Sequence, residues 1–227
     1  MTAAALRPLT FAKLDARAAE AGLRALGGFH AGTEDDDLPA GTQAVVLLAP
    51  REPGFWARIG AEPEFADGRP DPLDRWSRRT VGRLACALGG KALFPFGGPP
   101  WRPFLSWALR TGRLHPSPVG MLVHNDAGLW VSLRGALALR QRIDLPGPAP
   151  SPCDTCAGQP CRTACPVGAL GGGPYDIATC RGHIAAPEGA ECMAAGCRAR
   201  RACPVSARYP REPAQSAFHM RAFTGTP

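Results

Sequence analysis

The chain has 227 residues, 45% of them apolar, and a formal charge of +7 carried almost wholly by arginine. That is enough for one domain, or two modest ones, around a real core. No apolar run is long enough to span a membrane, and Lys13, Asp15, Arg17 and Glu20 interrupt the Ala-rich N-terminus, which reads as no secretion signal. A reducing, cytoplasmic residence is therefore expected, where thiols stay free for metal.

Taken in order, Thr10 caps a predicted helix to about Leu26, with Leu14, Ala18, Ala21 and Ala25 on one face and Gly27-Gly28 as its stop. Glu34 to Asp37 is an acidic surface loop. Val45 to Ala49, bounded by Gly41 and Pro50, reads as a buried strand, and residues 50–71 as a long loop. Asp71-Pro72 opens a second helix with Leu73, Trp76, Thr80, Leu84 and Leu88 at helical spacing and Gly89-Gly90 at its end. Cys86 on this helix reads as a small core residue.

Ala92 to Trp101 is a strand running into a Gly/Pro turn, followed by a helix through Trp107 to about Arg110. Two readings stay open for the turn. It is an ordinary connection, or Gly97 and Gly98 bare the backbone to a flat ligand beside Trp101. Val119–Val123 and Leu129–Leu133 are predicted to pair as a hairpin, with His124 and Asp126 as turn residues. Ala136 to Leu145 continues as strand or bend. The stretch Pro146-Gly147-Pro148-Ala149-Pro150-Ser151-Pro152 reads as a stiff linker, dividing a domain of residues 1–145 from one of residues 153–227.

Eight of the nine cysteines lie beyond that linker: Cys153-x2-Cys156-x4-Cys161-x3-Cys165-Pro166, then Cys180, Cys192, Cys197 and Cys203-Pro204. A close-spaced run with Pro after its last Cys is how an iron–sulfur cluster is held, and in two-cluster proteins the fourth Cys of a run ligates the other cluster. Cys153, Cys156 and Cys161 then take Cys203, while Cys180, Cys192 and Cys197 take Cys165. Two all-thiolate zinc sites would also use eight cysteines, although structural zinc favours paired knuckles over a single run of four. A disulfide framework would need an oxidising compartment. Gly171-Gly172-Gly173 reads as a turn, since no Lys-Ser/Thr follows it. Two clusters at −2 each would lower the formal charge from +7 to about +3. Arg198, Arg200 and Arg201 between the ligands then offset cluster charge, and no nucleic-acid partner is expected.

The segment Cys153 to Cys203 resembles the two-cluster ferredoxin domain of the epoxyqueuosine reductases, which follows a cobalamin-binding domain of nitroreductase-like fold. Gly128-Leu129-Trp130-Val131-Ser132-Leu133-Arg134-Gly135 is similar to a stretch of the cobalamin-processing chaperones of the same broad fold. The resemblance implies an α+β protein: a nitroreductase-like N-terminal α/β domain, then a small ferredoxin-like domain with two 4Fe–4S clusters. It also implies cobalamin, with Arg134 matching an Arg at the corrinoid site of the chaperones. The bared turn at Gly97 and Gly98, with the aromatics Trp101 and Trp130, is read as the rest of a planar-cofactor site. The reductases carry a proton-donating Asp in a motif of the form Asp-Thr/Ser-Gly-Pro, whereas this chain reads Phe96-Gly97-Gly98-Pro99. Phenylalanine cannot donate a proton, so no catalytic residue is assigned. The expected function is single-electron transfer from the clusters to a corrinoid or to a redox partner, protein or small molecule. The alternatives are a tRNA-modifying enzyme with an altered proton donor and a zinc-stabilised binding module.

Overall fold

The computed structural model describes residues 9–170 and 173–225, so the expected turn at Gly171-Gly172 lies outside the described residues. The architecture is mixed α and β. In chain order it runs α1 (Phe11–Glu20), β1 (Leu23–His30), β2 (Ala44–Pro50), α2 (Phe55–Gly60), α3 (Pro63–Ala66), α4 (Pro72–Ala87), β3 (Lys91–Leu93) and α5 (Phe104–Arg110). Then come β4 (Leu114–Pro116), β5 (Leu122–His124), β6 (Gly135–Leu139), α6 (Ile177–Ala185), α7 (Ala190–Ala195), α8 (Arg198–Ala202), α9 (Pro204–Arg208) and α10 (Pro213–Thr224).

The chain forms two compact units, and each is assembled from separated segments. The first comprises Met1–Arg51, Ala61–Thr111 and Leu133–Gly147. Its centre is an antiparallel sheet in the order β1-β2-β6-β3. Every residue of β2 and β6 is buried, as a continuous apolar run demands when both faces are covered. On α4, Leu73, Trp76, Ser77, Val81, Leu84 and Ala85 are buried, and the helix packs on β6 and β3. Glu64, itself buried, pairs with Arg79 at 2.5 Å, tying α3 to α4.

Several expectations need correction. The first helix stops at Glu20, not Leu26. Gly22 takes a left-handed φ of 77°, and Leu23–His30 turns back as β1 against β2. Asp15 secures the reversal, accepting from the Ala25 amide at 2.8 Å and from Arg51 at 2.6 Å. Small apolar residues fit either periodicity, and the sheet partner decides. The supposed loop 50–71 contains α2, which buries Phe55 and Ile59, and α3. Cys86 is exposed, on the outer face of α4.

The second unit comprises Glu52–Gly60, Gly112–Ser132 and Pro148–Pro227. Its hairpin is β4 with β5, paired Leu114↔His124 to Pro116↔Leu122, rather than residues 119–123 with 129–133. Gly120 at φ 72° donates to Ser117 O at 3.0 Å and makes the turn. The Leu129 amide instead donates to Ser206 Oγ at 2.8 Å, so this segment is held by a side chain and not a ladder. His124, expected in a turn, is instead the last residue of β5, and its Nδ1 accepts from the Asp126 amide in the turn that follows at 3.1 Å.

Candidate metal centres

Local geometry places each cysteine of the second unit at a turn or helix end. The Cys156 amide donates to Cys153 O at 3.2 Å, and Ser151 Oγ accepts from the Cys153 amide at 3.2 Å. Cys161 sits in the 3₁₀ turn Pro160–Arg162, entered through Gln159 at φ 35°. Cys203 precedes α9 with Pro204 as its first residue, a position where the missing N–H costs nothing. Cys165 starts a turn closed by the Gly168 amide at 3.2 Å. Cys180 lies within α6, which Asp176 caps through the Thr179 amide at 2.9 Å. Cys192 is on α7, and Gly196 at φ 83° ends that helix just before Cys197, the cap of α8.

These eight thiols fall into two groups of four. One cavity, of about 750 Å³, is lined by Cys153, Cys156, Cys161 and Cys203. A second, of about 370 Å³, is lined by Cys165, Cys180, Cys192 and Cys197. The same partition governs the electrostatics. Burial pushes the Cys153 and Cys161 thiols up, and Cys203 and Cys156 push both further. Burial likewise raises Cys180 and Cys192; Cys197 acts on both, and Cys165 and Cys192 act on Cys180. Burial and like neighbours both favour the neutral thiol here. The grouping is the crossed one, with the last Cys of each stretch facing the other's cavity. Val119, Val123, Leu129, Leu170 and Ala199 form an apolar cluster with Cys161 and Cys203 that also packs on Cys153, Cys165 and Cys197. All nine cysteines are free. Among the described residues, no group of three or more His, Cys, Asp or Glu side chains is drawn together to hold a metal ion.

Gly97, Gly98, Trp101 and Arg134 belong to the first unit and Trp130 to the second. Gly97 and Gly98 do take positive φ, at 108° and 101°. Yet the side approach to Gly97 is filled by Arg78, whose Nη2 would lie 2.3 Å from an added Cβ. Arg78 lies 5.3 Å from the Phe96 ring centre, and Arg134 is 5.9 Å from it. Arg134 pairs with Asp74 at 3.3 Å; burial lowers the guanidinium pKa and raises that of the carboxyl. Trp101 is 65% exposed. Trp130 is buried and lines the smaller thiol cavity, beneath the guanidinium of Arg211 at 5.1 Å.

Tyr175 and Ser206 carry roles that no spacing pattern announces. Tyr175 lines the smaller cavity with Cys180, and its hydroxyl acts on the Cys180 thiol against the burial that raises it. Ser206 holds the Leu129 wall of the larger cavity. No family model, curated protein or solved structure matches this chain.

Proposed function

We propose that the protein is an iron–sulfur electron-transfer protein that holds two 4Fe–4S clusters in its cysteine-bearing unit. The observation that carries the reading is the division of eight thiols into two cavities with four each, in crossed order. The thiols stand around spaces of about 370 and 750 Å³, which suits a multi-atom group better than one zinc ion per set. The donor set fits as well. In each set burial raises two of the four thiols, Cys153 and Cys161 in one and Cys180 and Cys192 in the other, and iron standing among them would hold them as thiolates. When bound, such clusters supply one-electron storage at potentials set by charge, hydrogen bonds and solvent access.

The chain's own residues supply the rest. Cys153, Cys156, Cys161 and Cys203 hold one group; Cys165, Cys180, Cys192 and Cys197 hold the other. Leu129, Leu170, Val119 and Val123 keep water from the inner thiols. The ferredoxin-like and nitroreductase-like classes are carried by the sequence resemblance. The first unit then serves as the scaffold that a redox partner or small-molecule acceptor meets. A corrinoid at Gly97 gains no support, because Arg78 fills that approach and Asp74 neutralises Arg134. Among the described residues no helix is long and apolar enough to cross a membrane.

Anaerobic reconstitution with iron and sulfide tests the reading. About eight iron and eight sulfide per chain, with a visible band bleached by a one-electron reductant, are expected. Two zinc ions per chain with no sulfide would overturn it.

A further inference from the structure

The two thiol cages differ in the charge around them. Arg200, the third residue of α8, lines the cavity of Cys165, Cys180, Cys192 and Cys197. Its Nη1 donates to Leu129 O at 2.6 Å, and its guanidinium carbon stands 6.0 Å from the Trp130 ring centre. Those two contacts fix the charge on the cavity wall. Its charged neighbours are the Cys197 thiol and the Tyr175 hydroxyl, and among the described residues no carboxylate pairs with it. Arg198 and Arg201, on either side of the same helix, both reach Glu191, at 3.7 and 2.8 Å. Arg200 therefore faces the cage as an uncompensated cation. The Tyr175 hydroxyl lines the same cavity and acts on the Cys180 thiol.

Among the described residues that line the cavity of Cys153, Cys156, Cys161 and Cys203, none is a partly buried cation. Its charged lining residues, Asp154 and Arg208, are both exposed and of opposite sign. Ser117, Asn125, Ser151, Thr155 and Gln159 are its neutral polar members, the Ser151 hydroxyl acts on the Cys153 thiol, and among charges Asp154 acts on Cys153 beside the thiols of its own set.

We propose that Arg200 makes the Cys165–Cys180–Cys192–Cys197 cage the more oxidising of the two, so that an electron given to the protein settles there. The proposal rests on the iron–sulfur reading above. Reduction adds one negative charge to a cage. A fixed cation in a low-dielectric wall stabilises that added charge far more than an exposed, screened pair does. A hydroxyl beside a ligand sulfur acts in the same direction in each cage, Tyr175 in one and Ser151 in the other, so the difference between them rests on Arg200.

The test is a potentiometric titration of the anaerobically reconstituted full chain, followed by electron paramagnetic resonance. Wild type should show two one-electron waves, with the preferred cage favoured at least tenfold, which is about 59 mV for one electron. A Cys180→Ala preparation should lack the higher wave, which assigns it. Arg200→Gln should lower the higher wave by about tenfold in equilibrium constant, again about 59 mV, and leave the lower wave in place. Arg200→Lys should restore most of the shift, and Tyr175→Phe should lower the same wave by less. If Arg200→Gln fails to load, Arg200→Lys with Tyr175→Phe carries the test. A fully loaded protein whose waves ignore Arg200, or whose lower wave moves instead, overturns the proposal and leaves the iron–sulfur reading standing. A chain that takes up no iron or sulfide removes both.

Discussion

Replacing Ser206 by Ala deletes one hydroxyl from the second unit and should loosen one wall of the larger thiol cavity. Ser206 is 1% exposed, and its Oγ accepts the Leu129 amide at 2.8 Å. Alanine keeps α9 and fills nearly the same volume, so the loss is the hydrogen bond itself. A buried amide left without an acceptor costs about 1–3 kcal/mol. Water cannot readily take the place of the hydroxyl, because Leu129 is 1% exposed and packed with Val119, Val123, Cys161 and Cys203. The approach is also tight, since an added Cβ on Gly128 would lie 2.4 Å from both the Ser206 nitrogen and its Oγ. Amide exchange of the anaerobic holoprotein reads the bond directly. The Leu129 amide should exchange about 5- to 150-fold faster in Ser206→Ala, the range that 1–3 kcal/mol spans. Amides of β2 in the other unit should keep their wild-type rates. An unchanged Leu129 rate in a folded variant would refute the argument that Ser206 is its acceptor.

Two further outcomes follow from named contacts. Gly196→Val should cost the protein about half its iron, because a Cβ there would lie 2.9 Å from Ser216 Cβ and 3.0 Å from Trp130, at φ 83°, immediately before Cys197; full iron content by metal analysis would contradict this. The hydrogen bond from Arg79 holds the Glu64 carboxyl below the ordinary carboxylate range, with burial opposing. A depressed folded pKa contributes stability that is complete above the unfolded value near 4.3 and is lost as pH falls through the folded one. Amide exchange in α4 should therefore show Glu64→Gln about 1–2 kcal/mol less protected than wild type at pH 7, after allowing for partial exposure of Arg79, with the gap closing below about pH 4. Parallel pH dependences in the two proteins would contradict that linkage.

The cysteine stretch was the most legible part of the chain, because the close spacing of Cys153, Cys156 and Cys161 brings three thiols to one cavity while Cys165 lines the other. The crossed grouping followed from the Cys-Pro endings, where the chain must turn away. The second strand was also plain, since Ala44–Pro50 is apolar without interruption and buried throughout. Leu23–His30 was not, because Ala21, Ala25 and Leu26 satisfy a helical stripe as well as a strand, and the choice is made by β2 and by Asp15 at a distance in sequence. Leu129–Leu133 has the composition of a strand, yet its first amide goes to Ser206, 77 residues away. Trp130 was grouped with Gly97 by aromatic character alone. Its actual neighbours, Gly196, Arg200 and Arg211, come from a segment no local pattern could bring to it. Cys86 stands about 200° around the helix from Leu84, so even the expected stripe leaves it on the outer face, and its reading as a core residue rested on residue type alone.

The most direct test of the central claim is the iron and sulfide content of paired cysteine variants after anaerobic reconstitution. Wild type should carry about eight iron per chain, and Cys165→Ala or Cys156→Ala alone about four. Cys165→Ala combined with Cys192→Ala strikes one cage twice and should still leave about four; Cys165→Ala combined with Cys156→Ala strikes both cages and should leave almost none. The reverse result, about four iron for the Cys165 and Cys156 pair and almost none for the Cys165 and Cys192 pair, would mean that each stretch ligates its own group and that the crossed grouping of the thiols is wrong.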